Sequence, residues 1–130
     1  MIRLSALLLV GLIPACEADE TVARYGAGGV TWTLVELDGA PFDARVTLEF
    51  ADGGPIAGQA PCNSFTTTNL VPYPWFELSP IAATKRACPD LDAETRFFTA
   101  FAAMTQSEVR PYTLFLRNDA GQEMKFTSPG

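Results

Sequence analysis

The chain has 130 residues, 15 Asp or Glu against 9 Lys or Arg, a net charge of −6 and no histidine. Such an acid excess argues against nucleic acid and anionic lipid surfaces as charge-driven partners, and without histidine no His-based triad or histidine general base can be assembled. The length suits one compact domain, and three separated cysteines with no CxxC pair lead us to expect no metal site and no cofactor.

Residues 1–15 carry one charge, Arg3, followed by an almost unbroken apolar run from Leu4 to Leu12. A short basic region, a brief apolar stretch and a small residue before a cleavage point read as a secretory signal. The run is shorter than the about 20 apolar residues that a bilayer span needs. A buried N-terminal strand is the competing reading, opposed by the acidic "EADETVARYGAGG" that follows. The closing "IPAC" resembles the bacterial lipoprotein lipobox, with Ile13, Pro14, Ala15 and Cys16 in its places, although leucine is commoner than Ile13 and Pro14 is unusual. That resemblance implies cleavage before Cys16, acylation of Cys16, and a lipid-anchored, extracytoplasmic place in a bacterial envelope; ordinary secretion with a free Cys16 is the alternative. If Cys16 carries lipid, Cys62 and Cys88 remain as an even pair in an oxidising compartment. A disulfide between them is then expected, against the alternative of two buried thiols. Losing Arg3 leaves eight basic residues against fifteen acidic ones, a net charge of −7 for the mature chain.

Residues 16–29, acidic first and closing in "GAGG", read as a flexible tether with a reach of about 20 Å. From Val30 the pattern turns to short strands. "VTWTLVEL" alternates Trp32 and Leu34 with threonines and stops at Asp38-Gly39. "RVTLEFA" puts Val46, Leu48 and Phe50 on one face, and Asp52-Gly53-Gly54 follows as a hairpin turn. "PIAGQA", "NSFTTTNLV" and "WFELSPIAA" read as further strands, as do "YTLFLRN" and "QEMKFTS" on either side of a turn near residues 119–121. One segment breaks the period of two. Residues 90–104 place Leu91, Phe98, Phe101 and Met104 on a helical stripe with Phe97 beside it, and Asp90 and Asp92 are N-cap candidates. The expected fold is mainly β, a small antiparallel barrel-like domain of about seven to eight strands with one packed α-helix.

These motifs, in this order, resemble the META domain, or HslJ-like, family of bacterial envelope proteins over residues 30–127. "WTLVELDG" supplies Trp32 and Gly39, "GQAPCNSF" supplies Gly58, Cys62 and Asn63, and "TKRAC" supplies Thr84, Ala87 and Cys88. An early helical glutamate, Glu94, and a final Leu114, Leu116, Gly121 and Phe126 complete the match. The chain departs from the family pattern at Pro61, at "TTT" and at Arg86, where glycine, a further glycine and methionine are usual. The resemblance implies a small β-barrel-like domain with a helix against it and an association with envelope stress and antibiotic tolerance. It implies no catalytic residues.

An enzyme is not expected. Ser64 stands in no G-x-S-x-G elbow. The cluster Asp90, Asp92 and Glu94 is better explained by helix capping and the macrodipole than by acid-base chemistry. No base stands near Cys62 in the sequence to activate it, and Asn63 is expected to serve its own turn. Lys85-Arg86, the one adjacent basic pair, reads as a solvated loop or as a docking spot for an acidic partner. The function expected is that of a monomeric, membrane-tethered interaction module with an unidentified envelope protein as partner. The alternative is a carrier of a small apolar ligand or lipid in the barrel interior. Nine phenylalanines and two tryptophans are enough to fill that interior.

Overall fold

The computed structural model describes residues 18–129. The expected signal segment, residues 1–15, and Cys16 lie outside the described residues. Nine strands and one helix follow in chain order: β1 (Thr31–Leu37), β2 (Ala40–Pro41), β3 (Thr47–Phe50), β4 (Pro55–Gln59), β5 (Ser64–Thr68), β6 (Ala82–Ala83), α1 (Leu91–Ala102), β7 (Gln106–Arg110), β8 (Thr113–Arg117) and β9 (Glu123–Thr127). They form a single sheet of order β6-β5-β4-β3-β1-β9-β8-β7, with β2 folded back on β1. Every strand pair is antiparallel.

The fold is the mainly β, one-helix class that the alternating pattern predicts. The sheet does not close strand to strand; β6 and β7 are its two ends. The return loop after β5 narrows the gap. Phe76 N–H donates to Thr105 O at 2.9 Å and Ser107 N–H to Pro74 O at 2.7 Å, so the loop runs along β7. The curl is barrel-like because the inward residues of successive strands meet in one core: Trp32, Leu34, Leu48, Phe50, Ile56, Phe65, Leu114, Leu116, Met124 and Phe126 are all buried. Alternate residues on these strands face outward, as a period of two requires.

The helix turns one position from the expected stripe. Glu94, Phe97, Ala100 and Phe101 are its buried residues, whereas Leu91 is exposed and Phe98 is half-buried. Phe97 and Phe101 pack on Phe65 with ring centroids 5.5 and 5.9 Å apart, and Phe101 meets Phe76 at 5.9 Å. Asp90 occupies the N-cap position without a side-chain cap bond.

Three further expectations are corrected. "WFELSPIAA" is not a strand through its length; only Ala82–Ala83 form a strand, Trp75 and Leu78 make isolated bridges to Gln106 and Asn69, and Pro74 and Pro80 bound a loop. Strand β7, which lacks a clear apolar alternation, went unrecognised in the sequence. The flexible tether over 16–29 does not extend to its end: Ala23–Ala27 form a π-helical turn, and Val22, Ala23 and Ala27 are buried in the core. Small apolar side chains bury easily even in a glycine-rich stretch, and Gly26 takes the positive φ of 115° that the kink needs. Among the described residues no helix is long and apolar enough to cross a membrane.

Candidate functional site

The β4–β5 hairpin turns through Pro61 and Cys62, with Ala60 N–H donating to Asn63 O at 2.8 Å. Proline supplies no N–H, so the turn presents two donors, Cys62 N–H and Asn63 N–H. Both point at one oxygen of Glu94, at 3.0 and 2.8 Å. The other oxygen of Glu94 accepts from Asn63 Nδ2 at 2.7 Å. Glu94 is 4 % exposed, and both its carboxylate oxygens are occupied. A helix thus drives a carboxylate into the loop, and the loop answers with backbone amides.

Asn63 is the hub. Its Oδ1 accepts from Thr84 Oγ1 at 2.9 Å and from Arg86 N–H at 2.6 Å, and its Nδ2 also donates to Arg86 O at 3.0 Å. The side-chain amide therefore bonds the Arg86 backbone as a peptide group of a neighbouring strand would. The β5–β6 register, Phe65 with Ala83 and Thr66 with Ala82, continues through Thr84 N–H to Ser64 O at 3.1 Å. The next rung falls at Arg86, and the Asn63 side chain fills it. Cys88 then closes the ladder as a disulfide to Cys62, with Cα atoms 5.5 Å apart. The expected pairing of Cys62 with Cys88 is present. The expected local role of Asn63 is corrected: its bonds reach 21 to 31 residues away.

The other motif residues are structural too. Trp32 is buried and donates its Nε1–H to Ala27 O at 2.9 Å. Gly39 follows Asp38 in a turn with φ of 78° and 51°, the left-handed pair that a two-residue hairpin of this hand needs. A Cβ on Gly58 would collide with Thr47 O and the Phe65 ring. Nothing in the structure explains an alanine at the exposed position 87. Glu94 as a buried anchor was missed in the sequence. Its spacing of three and seven from Phe97 and Phe101, on the apolar face, was the available signal.

Two surface features remain uncommitted. The first is a groove of about 680 Å³ on the outer face of β3, β4 and β5, lined by Thr31, Glu49, Ala57, Thr66 and Ala82. Small side chains leave this face hollow, and Glu49 accepts from Thr31 Oγ1 at 3.0 Å. A second hollow of about 500 Å³ continues it toward β6. The other feature is the sheet edge itself, residues 82–87, exposed throughout and carrying Lys85 and Arg86. Neither cation is ion-paired among the described residues. On the opposite end of the sheet Glu108 lies between Arg117 (2.7 Å) and Arg110 (2.8 Å). Hydrogen bonds from Arg117 first, then Arg110, hold its carboxyl below the usual glutamate value. Among the described residues no three cysteine or acidic side chains converge as a metal site requires.

A one-helix, barrel-like β domain stapled by a Cys-Asn turn, a Thr-x-x-Ala-Cys segment and a helical glutamate defines a class of small disulfide-locked β domains. The chain matches the META domain family over residues 26–129 and belongs to it. None of the curated proteins compared matches it. A protein from Burkholderia xenovorans, solved by NMR, is similar in fold: it is 19 % identical with a TM-score of 0.64, and the match covers 90 % of this chain and 93 % of that one. A crystal structure of a duf4847 family protein from Bacteroides vulgatus is 13 % identical with a TM-score of 0.66, covering 82 % of this chain and 96 % of that one. These likenesses concern the fold.

Proposed function

We propose that this META-domain chain is a non-catalytic interaction module, held on the outer side of a bacterial membrane by a lipid on Cys16 and serving envelope maintenance or stress tolerance. The observation that carries the reading is the free edge at residues 82–87. An antiparallel ladder alternates, so with Ala82 and Thr84 bonded to β5 the N–H and C=O of Ala83 face away from the sheet. Such an edge accepts an added strand. Lys85 and Arg86 beside it favour an extended segment with acidic side chains, in a chain that is otherwise acidic. The Asn63–Glu94 knot and the disulfide hold the edge rigid, which lowers the entropy lost on docking.

Two facts weigh against other roles. The polar motif residues already spend their hydrogen bonds on one another, which leaves them ill placed for chemistry. Trp32, Phe97, Phe101 and Phe126 fill the interior, which supports a surface partner over an interior apolar ligand.

The test is a photo-crosslinker placed at Lys85 in the envelope-resident protein, with and without Ala83→Pro. Proline removes the outward-facing N–H of Ala83 and is tolerated on edge strands. Adducts formed by the parent and lost in Ala83→Pro are the expected result. Adducts unchanged by the proline, or none at all, overturn docking at this edge.

A further inference from the structure

Six large apolar residues are exposed among those described, and three of them, Tyr25, Val30 and Tyr112, line one hollow of about 350 Å³. Single exposed apolar residues are ordinary, but three that share a concave surface call for a reason. Tyr25 is 54 % exposed and Tyr112 59 %, so neither ring is spent on the core.

Both rings are nevertheless held in place. Pro111 and Tyr112 form the two-residue turn between the paired Arg110 and Thr113. Tyr112 has a φ of 61°, in the left-handed region where glycine or asparagine is usual. A bulky residue there strains the backbone, and this ring is too exposed for core packing to explain it. The Tyr112 carbonyl accepts from Ser128 N–H at 3.0 Å, which fixes the turn against the end of β9. Tyr25 stacks on Tyr73 with ring centroids 4.8 Å apart, and the Tyr73 hydroxyl accepts from Val109 N–H at 3.3 Å. Val109 lines the same hollow. Walls fixed in advance lose little entropy on binding.

The chemistry of the lining selects the occupant. The grooves over β3, β4 and β5 contain Glu49, and the hollow beside Trp75 contains Glu77. The tyrosine hollow has no acidic side chain and one cation, Arg110, in a chain of net charge −6. One oxygen of Glu108 accepts from Arg110 Nε at 2.9 Å and lies 2.8 Å from Nη2. Nη1 is left without a partner among the described residues, and so are the Tyr25 and Tyr112 hydroxyls. The hollow therefore offers flat ring faces and hydrogen-bond donors. An ordinary extended strand or a sugar would ask for carboxylate or amide acceptors as well, because each brings donors of its own. A polyproline segment does not: it carries carbonyl oxygens, no N–H groups, and pyrrolidine rings that lie on aromatic faces.

We infer that this hollow binds a proline-rich segment in the polyproline II conformation, with an acidic residue beside the prolines to meet Arg110. It is a second interaction surface, separate from the edge at residues 82–87, none of which lines it. It depends neither on that edge nor on the lipid anchor.

The test uses the oxidised chain from Cys16 onward, which keeps every core residue from Val22 to Phe126. Three peptides of equal length are titrated: a proline decamer with two glutamates in it, its two-lysine counterpart, and a glycine–serine decamer with the same two glutamates. With the first we expect amide shift changes confined to residues 24–30, 109–113 and 127–129. The lysine peptide should bind about threefold more weakly, as one exposed ion pair allows, and the glycine–serine peptide should not bind. Tyr112→Asn removes a ring and eases the turn, so it should keep or raise the thermal midpoint while weakening binding about tenfold or more. Tyr25→Ser should weaken binding likewise. Shift changes centred elsewhere, or none at about millimolar peptide, overturn the inference, and that readout needs no variant. Equal affinity for the glycine–serine peptide overturns it too, as does binding untouched by Tyr112→Asn. Tighter binding of a chito-oligosaccharide at the same residues would make the hollow a sugar site instead. Equal binding of the lysine peptide overturns the acidic requirement.

Discussion

Glu94 and Asn63 divide between them nearly all the polar bonds that join the helix, the β4–β5 turn and the segment before the helix. Removing the carboxylate leaves two backbone N–H groups and one of the two Asn63 Nδ2 donors without acceptors in a buried place, while the other still reaches Arg86 O. An unpaired buried donor costs about 1–3 kcal/mol, so Glu94→Ala should lose about 3 kcal/mol or more in urea unfolding. Glu94→Gln keeps one acceptor oxygen and should lose less. An equal loss for the two would show that packing, and not the bonds, sets the value. The residue types of this knot were visible in the sequence. Its wiring was not, because Asn and Glu near turns and helix starts have ordinary local uses, and those uses were the ones expected.

At the scale of elements, segment 82–88 is held to β5 by four successive fastenings: two ladder rungs, the Asn63 side chain and the disulfide. The disulfide spans 26 residues and stabilises mainly by limiting the unfolded chain, by about 3 kcal/mol in the loop-entropy account. Reduction, or Cys62→Ser with Cys88→Ser, should lower the unfolding free energy by about that much while the β-rich far-ultraviolet spectrum persists. Amide exchange should rise first at residues 84–94. Uniform exchange across the sheet would show that the bridge merely adds global stability. The strands with clean alternation, β1, β3, β8 and β9, were legible in the sequence. β6 and β7 were not, because they pair through backbone at the sheet ends and one or both of their faces meet solvent.

At the scale of the whole molecule, the domain begins earlier than its sequence pattern. Val22, Ala23 and Ala27 are buried, and Ala27 O accepts the indole N–H of Trp32. A chain starting at Val30 would open a cavity beside Trp32 and strand its donor. Its stability should fall by about 4 kcal/mol relative to a chain starting at Cys16, as for other large losses of core volume. Thermal unfolding of the two chains measures it, and equal midpoints would return residues 21–29 to the tether.

By itself the sequence indicated the class of fold, the family and, once the lipobox resemblance set Cys16 aside, the pairing of Cys62 with Cys88; it also supplied enough aromatic volume for a core. Each of these follows from local or additive properties: alternation of apolar residues, the order of motifs, the parity of cysteines, and side-chain volume. Tertiary structure decided which face of the helix is buried, that Glu94 is an anchor, that residues 22–27 belong to the core, and that Tyr25 stacks on Tyr73. Those facts depend on contacts between distant segments, Asn63 with Glu94, Ala27 with Trp32 and Tyr73 with Tyr25, and such contacts leave no periodic trace along the chain.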